Sequence, residues 1–307
     1  MEPLWSKSAL NRVRGMPFAW SLNPYRGCAH ACVYCFARRT HTYLDLDAGL
    51  DFSTRIFAKV NVAQVLEAEL ASPRWRREMV AVGTATDPYQ PLEGRLQLTR
   101  ACLEALARHR TPATIVTKGP MVRRDTDVLR DLCRRAGCTV CVSIPTVDEG
   151  LWRETEPGTA APRHRLLAVR HLAAAGIRTG VLLAPLLPGL TDGRDQIAAT
   201  VRAAAAHCAC FVDANLLYLK PEVKAYYYTF LRSQHPELLP RYGRLYPGAY
   251  APADAQAAAH RGVAAMAERF GVADRRAEPL APPARPVAVP LAGVGAEAAA
   301  KRRWEGP

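Results

Sequence analysis

Apolar residues recur at helical spacing over positions 62–70 (VAQVLEAEL), whereas positions 79–84 (MVAVGT) form a short continuous apolar run that reaches a glycine. The first pattern predicts a helix and the second a buried strand. The pair then repeats. Positions 96–108 are helical, 113–118 (ATIVTK) form a β-branched strand after Pro112, 123–135 are helical, and 139–144 (TVCVSI) form a strand. A helix over 163–175 closes at Gly176, whose missing Cβ suits a helix end. A strand at 177–184, a helix at 194–206 and a strand at about 210–217 follow. With the run FAWSL at 18–22 this makes six strands, five of them separated by helices. Such alternation predicts an α/β fold with a parallel sheet and crossover helices. An open doubly wound sheet is the competing arrangement.

The pattern changes after residue 217. Positions 218–250 are rich in tyrosine and proline, with YYY at 226–228 and PRYGRLYPG at 240–248. They predict a helical appendage beside the sheet, and 254–272 one more helix. The YYY run has two readings, a helix packed on the core or an aromatic face that stacks bases. From 274 on, alanine, proline and arginine dominate without periodicity, which predicts a disordered tail. The expected organisation is an N-terminal extension (1–17), a core (18–217), a C-terminal helical appendage (218–273) and the tail (274–307).

At 307 residues, 49% of them apolar, the chain can bury a full core. No apolar run reaches the roughly 18–20 residues of a membrane span. The N-terminus (MEPLWSKSALNR) has no apolar signal core. A cytoplasmic protein with no membrane partner is expected. The formal charge is +13. Six basic and four acidic side chains lie in 274–307, so the excess belongs to the body. Arg38/Arg39, Arg74/Arg76/Arg77, Arg108/Arg110, Arg123/Arg124 and Arg134/Arg135 recur near element ends. Such a field favours a polyanion such as nucleic acid as partner, or serves solubility alone.

The chemistry concentrates in NPYRGCAHACVYCF, where Cys28, Cys32 and Cys35 are spaced C-x3-C-x2-C. Four cysteines would ligate a cubane iron–sulfur cluster fully. Three leave one iron without a protein ligand, free to take a small molecule. Zinc on the same cysteines, with His30 or His41 as fourth ligand, is the alternative. Zinc sites more often carry a second cysteine pair further on, and none of that kind follows. Cys102, Cys133, Cys138, Cys141, Cys208 and Cys210 are scattered through the predicted elements and read mostly as small buried apolar residues.

The cysteine spacing, with an aromatic residue (Tyr34) before the last cysteine, resembles the radical S-adenosylmethionine (radical SAM) superfamily. The resemblance implies a partial (β/α)6 barrel and a 4Fe-4S cluster on Cys28, Cys32 and Cys35. It also implies S-adenosyl-L-methionine chelated to the open iron, cleaved to methionine and a 5′-deoxyadenosyl radical. An external reductant such as a flavodoxin or ferredoxin would supply the electron. Parallel barrels carry their sites at the C-terminal strand ends. Here the second strand ends in GTATDPYQPLE (83–93), the third at Thr117-Lys118-Gly119, the fourth at Ser143-Ile144-Pro145, and the fifth in LAPLLPGLTD (183–192).

Together NPYRGC, TDPYQPLE and PGLTD resemble the spore photoproduct lyase-like branch, also labelled DNA repair photolyase-like, over roughly 18–250. Matching strand ends implies that Thr86, Lys118 and Ser143 hold S-adenosylmethionine. Lys118 would meet its carboxylate, and Gly83 would let the backbone approach closely. The full expected cofactor-binding set is Tyr34, Gly83, Thr84, Thr86, Asp87, Lys118 and Ser143. Asp87 and Glu93 would otherwise bind substrate or cap the next helix. Strand alternation sends Thr139, Cys141 and Ser143 to one face, so Cys141 is either a hydrogen-atom donor or a packed thiol. Two positions depart from the branch. Spore photoproduct lyases carry a tyrosine directly after the third cysteine and a cysteine at the end of the second strand, where this chain has Phe36 and Thr84.

Overall fold

Six short β-branched and apolar runs form the strands. They are β1 (Trp20–Leu22), β2 (Val80–Val82), β3 (Ala113–Thr117), β4 (Cys138–Ser143), β5 (Arg178–Leu186) and β6 (Val212–Leu216). The computed structural model describes residues 1–272. The tail expected over 274–307 lies outside them. All six strands are parallel and pair strictly in chain order. A doubly wound sheet reverses its order at a switch point. This sheet has no reversal, so the fold is α/β with the strand order of a partial barrel.

The crossovers are α1 (Val62–Ala71), α2 (Leu98–Arg108), α3 (Thr126–Arg135), α4 (Pro162–Ala174) and α5 (Arg194–Ala206). A constant right-handed crossover in a sequential sheet puts every helix on one face. Burial follows from that. Val80 and Val82, Ala113 and Ile115, and Cys138, Val140 and Val142 share the main core with Leu103, Leu106, Leu129 and Val169 from the helices. The alternate residues point to the concave side, which is more polar. Thr139, Cys141 and Ser143 belong to that set, and their strand neighbours in register are Thr114, Val116, Arg178, Gly180 and Leu182.

Two N-terminal strands were not legible beforehand. Leu10–Arg12 adds antiparallel to β1 and closes that sheet edge. Glu2–Leu4 pairs with Phe57–Lys59, which also pairs antiparallel with Tyr25–Arg26. After β6 come α6 (Pro221–Gln234), α7 (Leu239–Leu245) and α8 (Ala253–Arg269). Helices α6 and α7 form a second apolar cluster through Val223, Tyr227, Leu231 and Tyr242, together with Cys32, Val33 and Tyr34. Helix α8 places Val263, Met266 and Ala267 in the main core. The described part of this stretch, 218–272, thus divides between two cores. Among the described residues no helix is long and apolar enough to cross a membrane.

Candidate active site

The small sheet delivers the chain to Gly27, where φ is +80° and a Cβ would lie 2.9 Å from both His41 Cε1 and the Phe52 carbonyl. Only glycine fits there. A series of turns follows: Cys28 N–H donates to Phe52 O (3.0 Å), Ala31 N–H to Cys28 O (3.3 Å) and Cys35 N–H to Cys32 O (3.3 Å). Cys28 and Cys32 are buried and Cys35 is half-buried. Burial raises the Cys28 thiol well above its ordinary range, and the charges of Asp87, Cys32 and Cys35 add to that. Burial and Glu156 push Cys32 up to about 12 against the pull of Lys118. Burial likewise raises Cys35. Interacting thiols so raised ionise readily only when a metal takes the charge. Thiols so placed suit either a cluster or zinc.

Zinc would need a fourth ligand. His41 Nε2 lies 3.0 Å from the Arg55 carbonyl, and His30 Nδ1 lies 3.3 Å from Asp87. Each candidate fourth ligand thus has one ring nitrogen facing another group, while His41 Nδ1 is buried with no hydrogen-bond partner. Among the described residues no three His, Cys, Asp or Glu side chains converge on a single-ion position.

The β2 end is stitched to the cysteine loop. Thr86 Oγ1 donates to Gly27 O (2.6 Å), Gln90 Nε2 donates to the same carbonyl (3.2 Å), and Gln90 Oε1 accepts from Ala29 N–H (3.1 Å). Asn23 Oδ1 accepts from Ala85 N–H (2.8 Å), and its amide donates to Thr84 Oγ1 (3.3 Å). Asp87 accepts from Thr117 Oγ1 (2.6 Å), Lys118 N–H (2.6 Å) and Tyr89 N–H (2.8 Å). Burial opposes its ionisation, but the charge of His30 and these hydrogen bonds hold it below the ordinary carboxylate range. Gly83 has φ +89°, and a Cβ there would lie 2.4 Å from Val116 O. Strand packing therefore accounts for this glycine without any ligand.

Lys118 and Ser143 meet at the β3 and β4 ends. Lys118 Nζ donates to Ser143 Oγ (2.5 Å) and pairs with Glu156 (2.9 Å). Ser143 Oγ donates to Ala184 O (2.9 Å). Glu156 also accepts from Tyr34 OH and from Arg165 Nη2 (2.5 Å). Burial by itself raises Glu156, but the charges of Arg165 and Lys118 outweigh it and hold the carboxyl at about 2. The loop that carries Glu156 grips the cysteine turn directly. Val33 N–H donates to Thr155 O and Gly158 N–H to His30 O, each at 3.0 Å.

The geometry thus gathers Tyr34, Thr84, Thr86, Asp87, Lys118 and Ser143 around the cysteine loop. Cys141 sits one pleat below Ser143 and is buried. Phe36 is 48% exposed, and a phenyl ring there has no hydrogen to return. Glu93 is wholly buried and accepts from Thr99 N–H (3.0 Å), so it caps α2. In the YYY run, Tyr227 is buried against Tyr242 (3.0 Å between hydroxyls) and Tyr226 covers Arg38, which is packing. The PGLTD turn is internal as well: Leu187 N–H donates to Thr191 Oγ1 and Gly189 N–H to Asp192. Sequence reasoning missed Glu156, Arg165, Gln90 and Asn23. Arg165 alone left a signal, since it shares the apolar face of Leu166, Val169 and Leu172 where a charge needs a partner.

A family model described as the radical SAM superfamily matches residues 22–202. An uncharacterized protein of Mycobacterium tuberculosis is 41% identical over 278 residues, covering 89% of this chain and 82% of that one. A second, from Methanocaldococcus jannaschii, is 24% identical over 187 residues, 61% of this chain and 68% of its own. Among solved structures, spore photoproduct lyase complexed with dinucleoside spore photoproduct superposes with a TM-score of 0.66 at 15% identity, over 87% of this chain and 78% of that one. A variant of the same enzyme carries bound AdoMet and the dinucleoside, with the same score and coverage. At such identity the likeness is one of fold. The matched model covers more than half of the chain and the mycobacterial relative most of it, and the chain belongs to the radical SAM superfamily.

Proposed function

We propose that this protein is a radical SAM enzyme holding a 4Fe-4S cluster on Cys28, Cys32 and Cys35 and S-adenosylmethionine beside it. The observation that carries the reading is the trio of interacting thiols, two buried and one half-buried, on the one loop that is tied to the C-terminal strand ends. When bound, cluster and cofactor would supply reductive cleavage to methionine and a 5′-deoxyadenosyl radical.

The chain's own residues divide the remaining work. Lys118 and Ser143 offer an ammonium and a hydroxyl toward a carboxylate or a ribose. Thr86, Asp87 and Gln90 fix the cysteine loop against β2 and β3. Glu156 orients Lys118 and Tyr34 from behind. Among the described residues Cys141 is the one thiol on the concave strand face below Ser143, placed to return a hydrogen atom. Repair of spore photoproduct is not proposed, because Phe36 and Thr84 fill the two hydrogen-return positions of that branch. Nucleic acid is the substrate class to test first, since the body of the chain is basic.

The test is anaerobic reconstitution with iron and sulfide, then dithionite and S-adenosylmethionine, with 5′-deoxyadenosine as readout. The nucleoside is expected from the wild type and absent from Cys32→Ala. Equal amounts from both, or none from an iron-loaded wild type with or without nucleic acid, would contradict the reading.

A further inference from the structure

Two arginine side chains, Arg38 and Arg165, have no exposure at all. Arg165 has a carboxylate against it, Glu156. Arg38 has only carbonyls. Its Nε donates to Cys32 O (3.0 Å), Nη1 to Ala48 O (3.1 Å) and Gly49 O (2.7 Å), and Nη2 to Ala31 O (2.9 Å). Among the described residues no Asp or Glu pairs with it. The Tyr226 ring covers the guanidinium at 3.9 Å, and Phe52 lies at 5.3 Å. A buried charge with no counter-charge is costly, and proteins keep such charges where something offsets them.

The position says what does. Two of the four acceptors, Ala31 O and Cys32 O, belong to the cysteine loop, and the Arg38 N–H donates to Cys35 O (3.2 Å). We infer that Arg38 is the counter-charge of the cysteine-bound cluster and raises its reduction potential. The inference rests on the proposed function. Each thiolate brings one negative charge, and one-electron reduction adds another. A fixed cation behind an aromatic cover, where screening is weak, favours the more negative state.

The experiment is an EPR-monitored redox titration of reconstituted wild type, Arg38→Lys and Arg38→Met, with iron counted per chain. The lysine variant keeps the charge without the fork of donors and should titrate near the wild type. The methionine variant should titrate lower by about a tenfold change in the reduction equilibrium, about 59 mV for one electron. A methionine variant at the wild-type potential, or equal drops in both, would overturn the inference, because carbonyl capping and not charge would then be at work. If neither variant holds iron, Tyr226→Ala decides. It leaves the guanidinium in place and admits screening water, so its potential should fall, and an unchanged value refutes the charge. A wild type that holds no iron would overturn the functional reading itself.

Discussion

Glu156 carries more of the site than any other single side chain, because it answers one buried cation, one half-buried cation and a buried hydroxyl at once. Removing one partner of a buried ion pair leaves the other uncompensated and costs about 3–5 kcal/mol. Glu156→Ala should lower thermal stability by that order, and Glu156→Gln by less, since the amide still accepts hydrogen bonds. Its titration has a definite sign. The folded carboxyl sits near 2 against an ordinary 4.5, so it stabilises the fold above pH 4.5 and this contribution fades as pH falls toward 2. Urea midpoints of the apo protein between pH 5 and 2.5 should fall for the wild type and fall less steeply for Glu156→Gln. Parallel curves would contradict that account.

The loop bearing Glu156 and the cysteine loop meet at Gly158, where a Cβ would lie 2.2 Å from Ala29 O. Gly158→Ala must push the two loops apart. The expected result is a chain with native far-ultraviolet circular dichroism that retains less than half of the wild-type iron. Full iron content would show that the cysteine loop is not held from this side. The repeating elements were legible because their periods are local: five helices and six strands follow from apolar spacing alone. Three-residue strands such as Glu2–Leu4 and Leu10–Arg12 carry no period and exist only through their pairing. The cysteines were legible from spacing. Glu156 was not, since a carboxylate in a polar loop looks solvated until Lys118 and Arg165 are brought to it from 38 residues upstream and nine downstream. Arg38 was counted with the basic surface for the same reason.

Over the whole molecule the basic excess is less free than its sum suggests. Arg55, Arg100, Arg108, Arg134, Arg135, Arg153, Arg163 and Arg241 all face carboxylates. Arg76 and Arg77 instead line a cleft of about 570 Å³ with Trp75 and His109, before β2 and β3 begin and so at the opposite strand ends from the cysteines. If nucleic acid is the partner, retention on single-stranded DNA should fall steeply with salt, and Arg76→Ala with Arg77→Ala should reduce the salt slope by about two. Salt-independent behaviour would move the substrate to a protein or small molecule. The central claim is narrower than either substrate, namely that Cys28, Cys32 and Cys35 hold a cluster with one open iron. The most direct measurement is the low-temperature EPR spectrum of the reduced, reconstituted protein before and after S-adenosylmethionine is added. The account predicts about four irons per chain and a signal that changes shape when the cofactor binds. A protein that holds zinc in place of iron, or a cluster signal indifferent to the cofactor, would contradict it.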